Sequence, residues 1–255
     1  MALQALDHIV IMVADLDHAI RDYAELGFTI VPGGAHPAGT HNALIAFADG
    51  AYIELIAFER NNRQHRWWAA ARNGGGLIDF CMRTDDLAGD REAFREAGVE
   101  MEVAPGERVR PDGYRLRWTL AQPVPPHAFI APFLIEDETP REERVPGEHR
   151  HRNGVCGIAA IIIAVEDVIV PQRICSAVLR HNGEPLRHED LLARGVRFRV
   201  GPHALEFIAP EQVSSPLSHS LKSRGAGPWS VALKTSAGPG SLDGSKARAR
   251  IELVS

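Results

Sequence analysis

The sequence predicts an α+β chain assembled from repeated βαβββ units, and three observations carry that reading. Residues 6–58 read as one complete strand–helix–strand–strand–strand unit. A shift of 71 positions lays Asp15-Leu16 on Asp86-Leu87, Tyr23 on Phe94 and Gly27 on Gly98. A shift of 152 lays Asp15 on Asp167, Glu54 on Glu206 and Ile56 on Ile208. Shared spacing of strand end, helix and glycine marks copies of one supersecondary unit rather than unrelated amphipathic segments.

Taken in order, residues 6–13 are mostly apolar with β-branched centres, as a strand buried on both faces requires. Leu16, Ala19, Ile20, Tyr23 and Leu26 fall at helical spacing, with Asp15 or Asp17 as cap and Gly27 as the stop. A short strand over 28–31 and a turn at 32–34 come next. The hairpin 43–47 and 52–58 then hinges on Asp49-Gly50. Residues 59–73, with Trp67-Trp68, read as a connecting helix or a lid ending in a glycine run. The second copy has its strand at 76–84, its helix at 87–97 and its hairpin at 114–121 and 129–136, joined by a Pro-rich loop at 122–126. The charged run 136–153 reads as a solvated linker. The expected division is therefore 1–140, a linker at 141–153, and a degenerate second pair of units at 154–255. In that pair, 155–165, the helix 168–179, 196–200 and 204–208 form a third copy. Residues 229–235 and 247–254 supply two strands of a fourth, whose middle is cut short to a Gly/Ser-rich stretch.

Composition narrows the function classes. At 255 residues, 45% hydrophobic and 24% charged, the chain can bury a substantial core. A net charge of −5 with scattered Lys and Arg offers no footprint for nucleic acid or an anionic membrane. No run is long enough to span a bilayer as a helix. Three cysteines, Cys81, Cys156 and Cys175, without a CxxC pair, suit buried thiols in a reducing cytoplasm. Signatures of serine hydrolases, P-loop and dinucleotide-binding proteins and HExxH zinc proteases are absent. A small-molecule substrate is the expected partner, and a homodimer is compatible with the composition.

Several motifs resemble the vicinal oxygen chelate superfamily, most closely its glyoxalase-like domain proteins. They are Leu6-Asp7-His8-Ile9-Val10, Asp15-Leu16, Leu26-Gly27-Phe28, Gly33-Gly34-Ala35-His36, Gly39-Thr40-His41-Asn42-Ala43-Leu44-Ile45 and Tyr52-Ile53-Glu54-Leu55. Trp118 and Pro132-Phe133-Leu134-Ile135 match in the second unit. Asn153-Gly154-Val155, Val165-Glu166-Asp167 and Leu205-Glu206-Phe207 match in the C-terminal half. The resemblance implies small incomplete barrels, each pair of units enclosing a cavity that often holds a divalent metal such as zinc, nickel, manganese or iron. It implies His8 on the first strand and Glu54 on the last as metal ligands, a pairing that suits a Lewis-acid cation with open positions. At the place of His8 the later units carry Asp79, Ala160 and, approximately, Ser230; at the place of Glu54 they carry Phe133, Glu206 and Glu252. The four-ligand pattern of glyoxalase I and the two-His-one-carboxylate pattern of extradiol dioxygenases are thus incomplete here.

The leading expectation is a metal-dependent lyase or isomerase acting on a small oxygenated organic molecule, with Glu54 or Asp79 as base where it is not a ligand. His41 and Asn42 beside a Gly/Pro-rich turn, Arg110 with a carboxylate-gripping fork, and Trp118 and Phe133 as apolar walls are the candidate substrate contacts. A metal-free protein that binds or sequesters a small molecule is the alternative. Ring-cleaving oxygenation comes third, because a second His ligand is missing.

Overall fold

The computed structural model describes Leu3 and residues 5–255. The first unit consists of β1 (Ala5–Met12), α1 (Leu16–Glu25), β2 (Val31–Ala35), β3 (Thr40–Ala46) and β4 (Tyr52–Phe58). Asp15 caps α1 by accepting from the His18 backbone N–H at 2.8 Å, and the helix buries Leu16, Ala19 and Tyr23. The short α2 (Trp68–Arg72) leads to the second unit: β5 (Gly76–Arg83), α3 (Leu87–Glu96), β6 (Met101–Val109), β7 (Arg115–Pro123) and β8 (Phe133–Asp137). After α4 (Arg141–Arg144), the second half runs β9 (Val155–Ala164), α5 (Ile169–Leu179), β10 (Glu184–His188), a 3-10 turn at Glu189–Leu191, β11 (Ala193–Val200) and β12 (His203–Pro210). It finishes with α6 (Pro216–Arg224), β13 (Gly227–Thr235), β14 (Gly240–Ser241), α7 (Gly244–Ala247) and β15 (Ile251–Val254).

The repeat shows itself in the pairing. In each of four places a first strand lies parallel to a last one: β1 with β4, β5 with β8, β9 with β12 and β13 with β15. The first eight strands close a barrel in the order β1-β4-β3-β2-β6-β7-β8-β5. Closure between β2 and β6 rests on the Ala35–Val109 pair. The remaining strands form a seven-stranded sheet, β10-β11-β12-β9-β13-β15-β14. One apolar cluster spans both halves, joining Ile9, Phe80 and Leu134 to Ile161, Phe207 and Leu233.

The two halves use equivalent sheet faces differently. In the second, Leu217 and Leu221 of α6 pack into a cluster with Ala160, Ile162, Ala164 and Ile208. Ala160 and Ile208 correspond to His8 and Ile56 under the 152-residue shift, so the helix covers the face that lines the first barrel's interior. The second hollow is filled with side chains.

Two local expectations need correction, and one strand, β6, was not among those expected. The strand expected at 28–31 lies instead at Val31–Ala35, with Gly33 and Gly34 inside it rather than in a turn. Gly33 passes against the Asn42 side chain where any Cβ would collide, and Thr29 is drawn away as its N–H donates to His151 Nδ1 at 3.0 Å. β6 carries no apolar alternation in its sequence, MEVAPGERV, and is recognisable only once folded. The charged run at 136–153 is not a solvated linker: β8 extends to Asp137 and α4 delivers Arg144, 2% exposed, into the interior. There Arg144 meets carboxylates that match its charge.

Candidate functional site

The first barrel encloses a cavity of about 510 Å³, lined by residues from both of its units. This lies in the usual range for small-molecule sites. Residues 36–38 and 104–108, which flank the β2–β6 seam, form part of its wall. The rings of Tyr52, Trp67, Trp118 and Phe133 supply apolar surface.

On this wall His8 (3% exposed) stacks on Tyr52 with ring centroids 4.6 Å apart and meets the edge of Phe133 at 5.4 Å. Its Nδ1 lies 2.7 Å from Asp7 Oδ1. A carboxylate only accepts, so that contact fixes the imidazole proton on Nδ1 and turns the Nε2 lone pair towards the cavity. Burial pushes the Asp7 carboxyl up, but the Arg144 guanidinium, the His8 hydrogen bond and Arg141 outweigh it and hold Asp7 well below the usual carboxylate range. Arg144 grips Asp7 at both oxygens (3.1 and 3.0 Å), ties Asp137 at 2.5 and 2.9 Å, and donates to the Tyr52 hydroxyl at 2.7 Å. Arg141 also donates to Asp7.

Glu54 (6% exposed) completes the centre. Asn42 Nδ2 donates to its Oε1 at 2.5 Å, and Oε2 faces His8 Nε2 at 3.6 Å. Two acceptor atoms that close repel unless a proton or a cation lies between them. His36 and His65 share the wall. Burial lowers both, His65 to about 4, so each is neutral at pH 7.

Of the residues singled out in the sequence, His8, Asn42, Glu54, Trp118 and Phe133 lie on one cavity wall. Three others lie elsewhere. His41 alternates outward from Asn42 on β3 and sits 3.5 Å from Glu59. Arg110 lies just past the end of β6, half-buried, and binds Asp112 and Glu143. Asp79 is fully buried but committed: Oδ1 accepts from the Phe80 N–H at 3.0 Å, and Oδ2 accepts from Trp67 Nε1 at 2.8 Å beside Arg66 at 2.9 Å. It anchors Trp67 rather than facing the cavity. Tyr52, Arg108 and Arg144 escaped the sequence reading, the arginines because nothing in a charged stretch marks which cation turns inward.

The donor set was weighed against a divalent metal. Ligands about 2.1 Å from a tetrahedral ion stand about 3.4 Å apart, so His8 Nε2 and Glu54 Oε2 are spaced as two neighbouring corners. Phe133 and the committed Asp79 leave the other corners without protein donors. Among the described residues, the one group of three close His, Cys, Asp or Glu ligand atoms is Asp7, His8 and Cys81. Arg144 already saturates Asp7, and burial pushes the Cys81 thiol well above its usual range. Neither arrangement fits the three-ligand centre of a catalytic metal site.

In the comparisons with known proteins, the family model described as "Glyoxalase-like domain" matches residues 6–179. A hypothetical protein from Staphylococcus aureus superimposes with a TM-score of 0.71 at 16% identity, covering 97% of this chain and 98% of that one. A mutant 4-hydroxymandelate synthase from Streptomyces coelicolor gives 0.57 at 13% identity, covering 92% and 72%. A xylose isomerase-like TIM barrel/4-hydroxyphenylpyruvate dioxygenase fusion protein gives 0.52 at 15% identity, covering 91% and 36%. At such identities these likenesses show the fold alone. No curated protein matches the chain. Among the described residues, no helix is long and apolar enough to cross a membrane.

Proposed function

Because the chain belongs to the glyoxalase-like domain family of the vicinal oxygen chelate superfamily, whose members commonly bind divalent metals and act on small molecules, we propose that it is an enzyme moving a proton on a small oxygenated organic substrate, an isomerase or a lyase. The observation carrying this reading is the buried His8–Glu54 pair, 3.6 Å apart on the wall of an aromatic-lined cavity.

A proton held between the two acceptors makes them an acid–base pair. Asp7 supports the charge that builds on the imidazole, as a carboxylate behind a catalytic histidine does. With a carbonyl compound in the cavity, His8 donates from Nε2 to the carbonyl oxygen. Glu54 Oε2 takes a proton from the adjacent carbon, and the C–H electron pair becomes the double bond of an enol. Returning the proton to that carbon from the opposite face, while the enol O–H goes back to His8, inverts the carbon and completes an isomerisation with no further reactant. Where the neighbouring carbon carries a leaving group, the enol instead re-forms its carbonyl and returns its O–H proton to His8, a new C=C forms, and the group departs with its bonding pair and takes the proton held by Glu54, which is a lyase reaction. Asn42 holds Glu54 Oε1 and leaves Oε2 free for this transfer.

The expectation of a resident metal is supported by the His8–Glu54 spacing alone and opposed by the missing third donor, so no step is assigned to one. A metal-free sequestering protein would use the same cavity but leave the substrate's protons untouched. The test incubates the protein in D2O with methylglyoxal, hydroxyacetone and 2-oxobutyrate and follows α-deuteration by NMR. Wild-type protein is expected to speed exchange of at least one compound, and Glu54→Gln to slow it by roughly 10²–10⁴. No exchange on any of them, or equal rates in the variant, would overturn the reading. Elemental analysis of untagged protein beside His8→Ala and Glu54→Ala variants tests the metal: stoichiometric metal lost in both would restore it as a ligand pair.

A further inference from the structure

Arg108 (3% exposed) lies on the cavity wall one residue before the end of β6. One of its nitrogens, Nη2, donates to the Arg144 carbonyl at 2.8 Å, while Nε is buried with no partner. Among the described residues, no carboxylate lies within 4.0 Å of its guanidinium. The nearby charges are already assigned. Asp7 and Asp137 are matched by Arg144 and Arg141, and burial raises the Tyr52 phenol well above its usual value and keeps it neutral. Glu54 faces His8 and acts on Arg108 only as a charge beyond ion-pair distance. A desolvated guanidinium without an anion is costly and is retained where an anion arrives from outside.

We propose that Arg108 is the anion-binding residue of this cavity and that the ligand is a small organic carboxylate seated on its free edge, with its reactive end towards His8 and Glu54. A planar fork matches a carboxylate, and one hydrogen bond to Arg144 leaves Nε–H free to complete it. The aromatic walls, with Trp118 and Phe133 among them, suit an apolar body behind that group. This inference rests on the cavity being the functional site and names the chemistry of what enters it.

The test measures binding of benzoate and of its neutral counterpart benzamide by NMR shifts and thermal denaturation. Wild-type protein is expected to prefer benzoate by at least about tenfold, the scale of one charged hydrogen bond. Arg108→Met abolishes the preference and raises the melting temperature of the ligand-free protein by at least about 2 °C. Arg108→Lys, which keeps the charge and loses the fork, binds benzoate more weakly than wild type. Equal binding of the two probes, binding of neither, a preference that survives in Arg108→Met, or undiminished affinity in Arg108→Lys would overturn the proposal. Glu54→Gln separates the two readings. Exchange lost in this variant with the benzoate preference intact keeps Arg108 as an anion site distinct from the acid–base pair, whereas wild-type protein that exchanges protons without preferring benzoate overturns the anion site and leaves the acid–base pair standing alone.

Discussion

Asp7 carries two loads, since it orients the His8 imidazole and balances the buried Arg144 charge. Asp7→Asn therefore leaves the buried Arg144 guanidinium with Asp137 as its one remaining carboxylate and is expected to destabilise the fold by about 3 kcal/mol, measured by urea unfolding at neutral pH. The sign of its pH dependence follows from its depressed folded value. The stabilisation is fully present above about 3.9, the unfolded carboxylate value, and is lost as the pH falls towards the folded one. Urea midpoints should decline through this acid range in wild type and flatten in Asp7→Asn. Asp49, lowered by His203 and backbone hydrogen bonds against its own burial, contributes in the same direction. At this scale the family resemblance singled out His8 and Glu54, both of which lie on the cavity wall, where a lone imidazole or carboxylate in a strand would by itself be most simply a satisfied polar residue. Arg144 was not, since a single inward-turning cation looks like every other residue of a charged run.

Strand alternation decides which neighbours work together. On β3 it turns Asn42 inward and His41 out, and on β6 it brings in Arg108 while Arg110 falls beyond the strand's end. The sequence offered Arg110 as the carboxylate grip and passed over Arg108, the arginine on the cavity wall, because the Gly, Pro and Glu of β6 hide the strand itself. Helices α1 and α3 were readable because cap, apolar face and terminal glycine agree. Gly106 shows what β6 is selected for: its missing Cβ makes room for the Trp118 indole, which any side chain would strike. Gly106→Ala should push Trp118 into the cavity, weaken benzoate binding, and cost about 1–3 kcal/mol through overpacking, both read from one thermal titration.

The whole molecule divides its labour between two hollows built from the same unit. The first retains polar residues and open volume, whereas in the second, Glu206 is tied to His188 and Arg197 and α6 covers the equivalent face. The repeat that produces both was legible from spacing alone. The plug was not, because α6 is weakly amphipathic and its counterpart after β4, the five-residue α2, buries none of its own residues. Leu217→Ala is expected to cost about 2–5 kcal/mol as a cavity mutation and to leave proton exchange at the first barrel unchanged, checked by denaturation and by the D2O assay. The central claim, that the first barrel's cavity receives the ligand and the second half supports it, is tested most directly by methyl NMR of isoleucine-labelled protein titrated with benzoate. Ile56 and Ile135, on the cavity wall, should shift, and Ile162, packed in the cluster with α6, should stay where it is. Shifts at Ile162 with Ile56 and Ile135 unmoved would contradict the account.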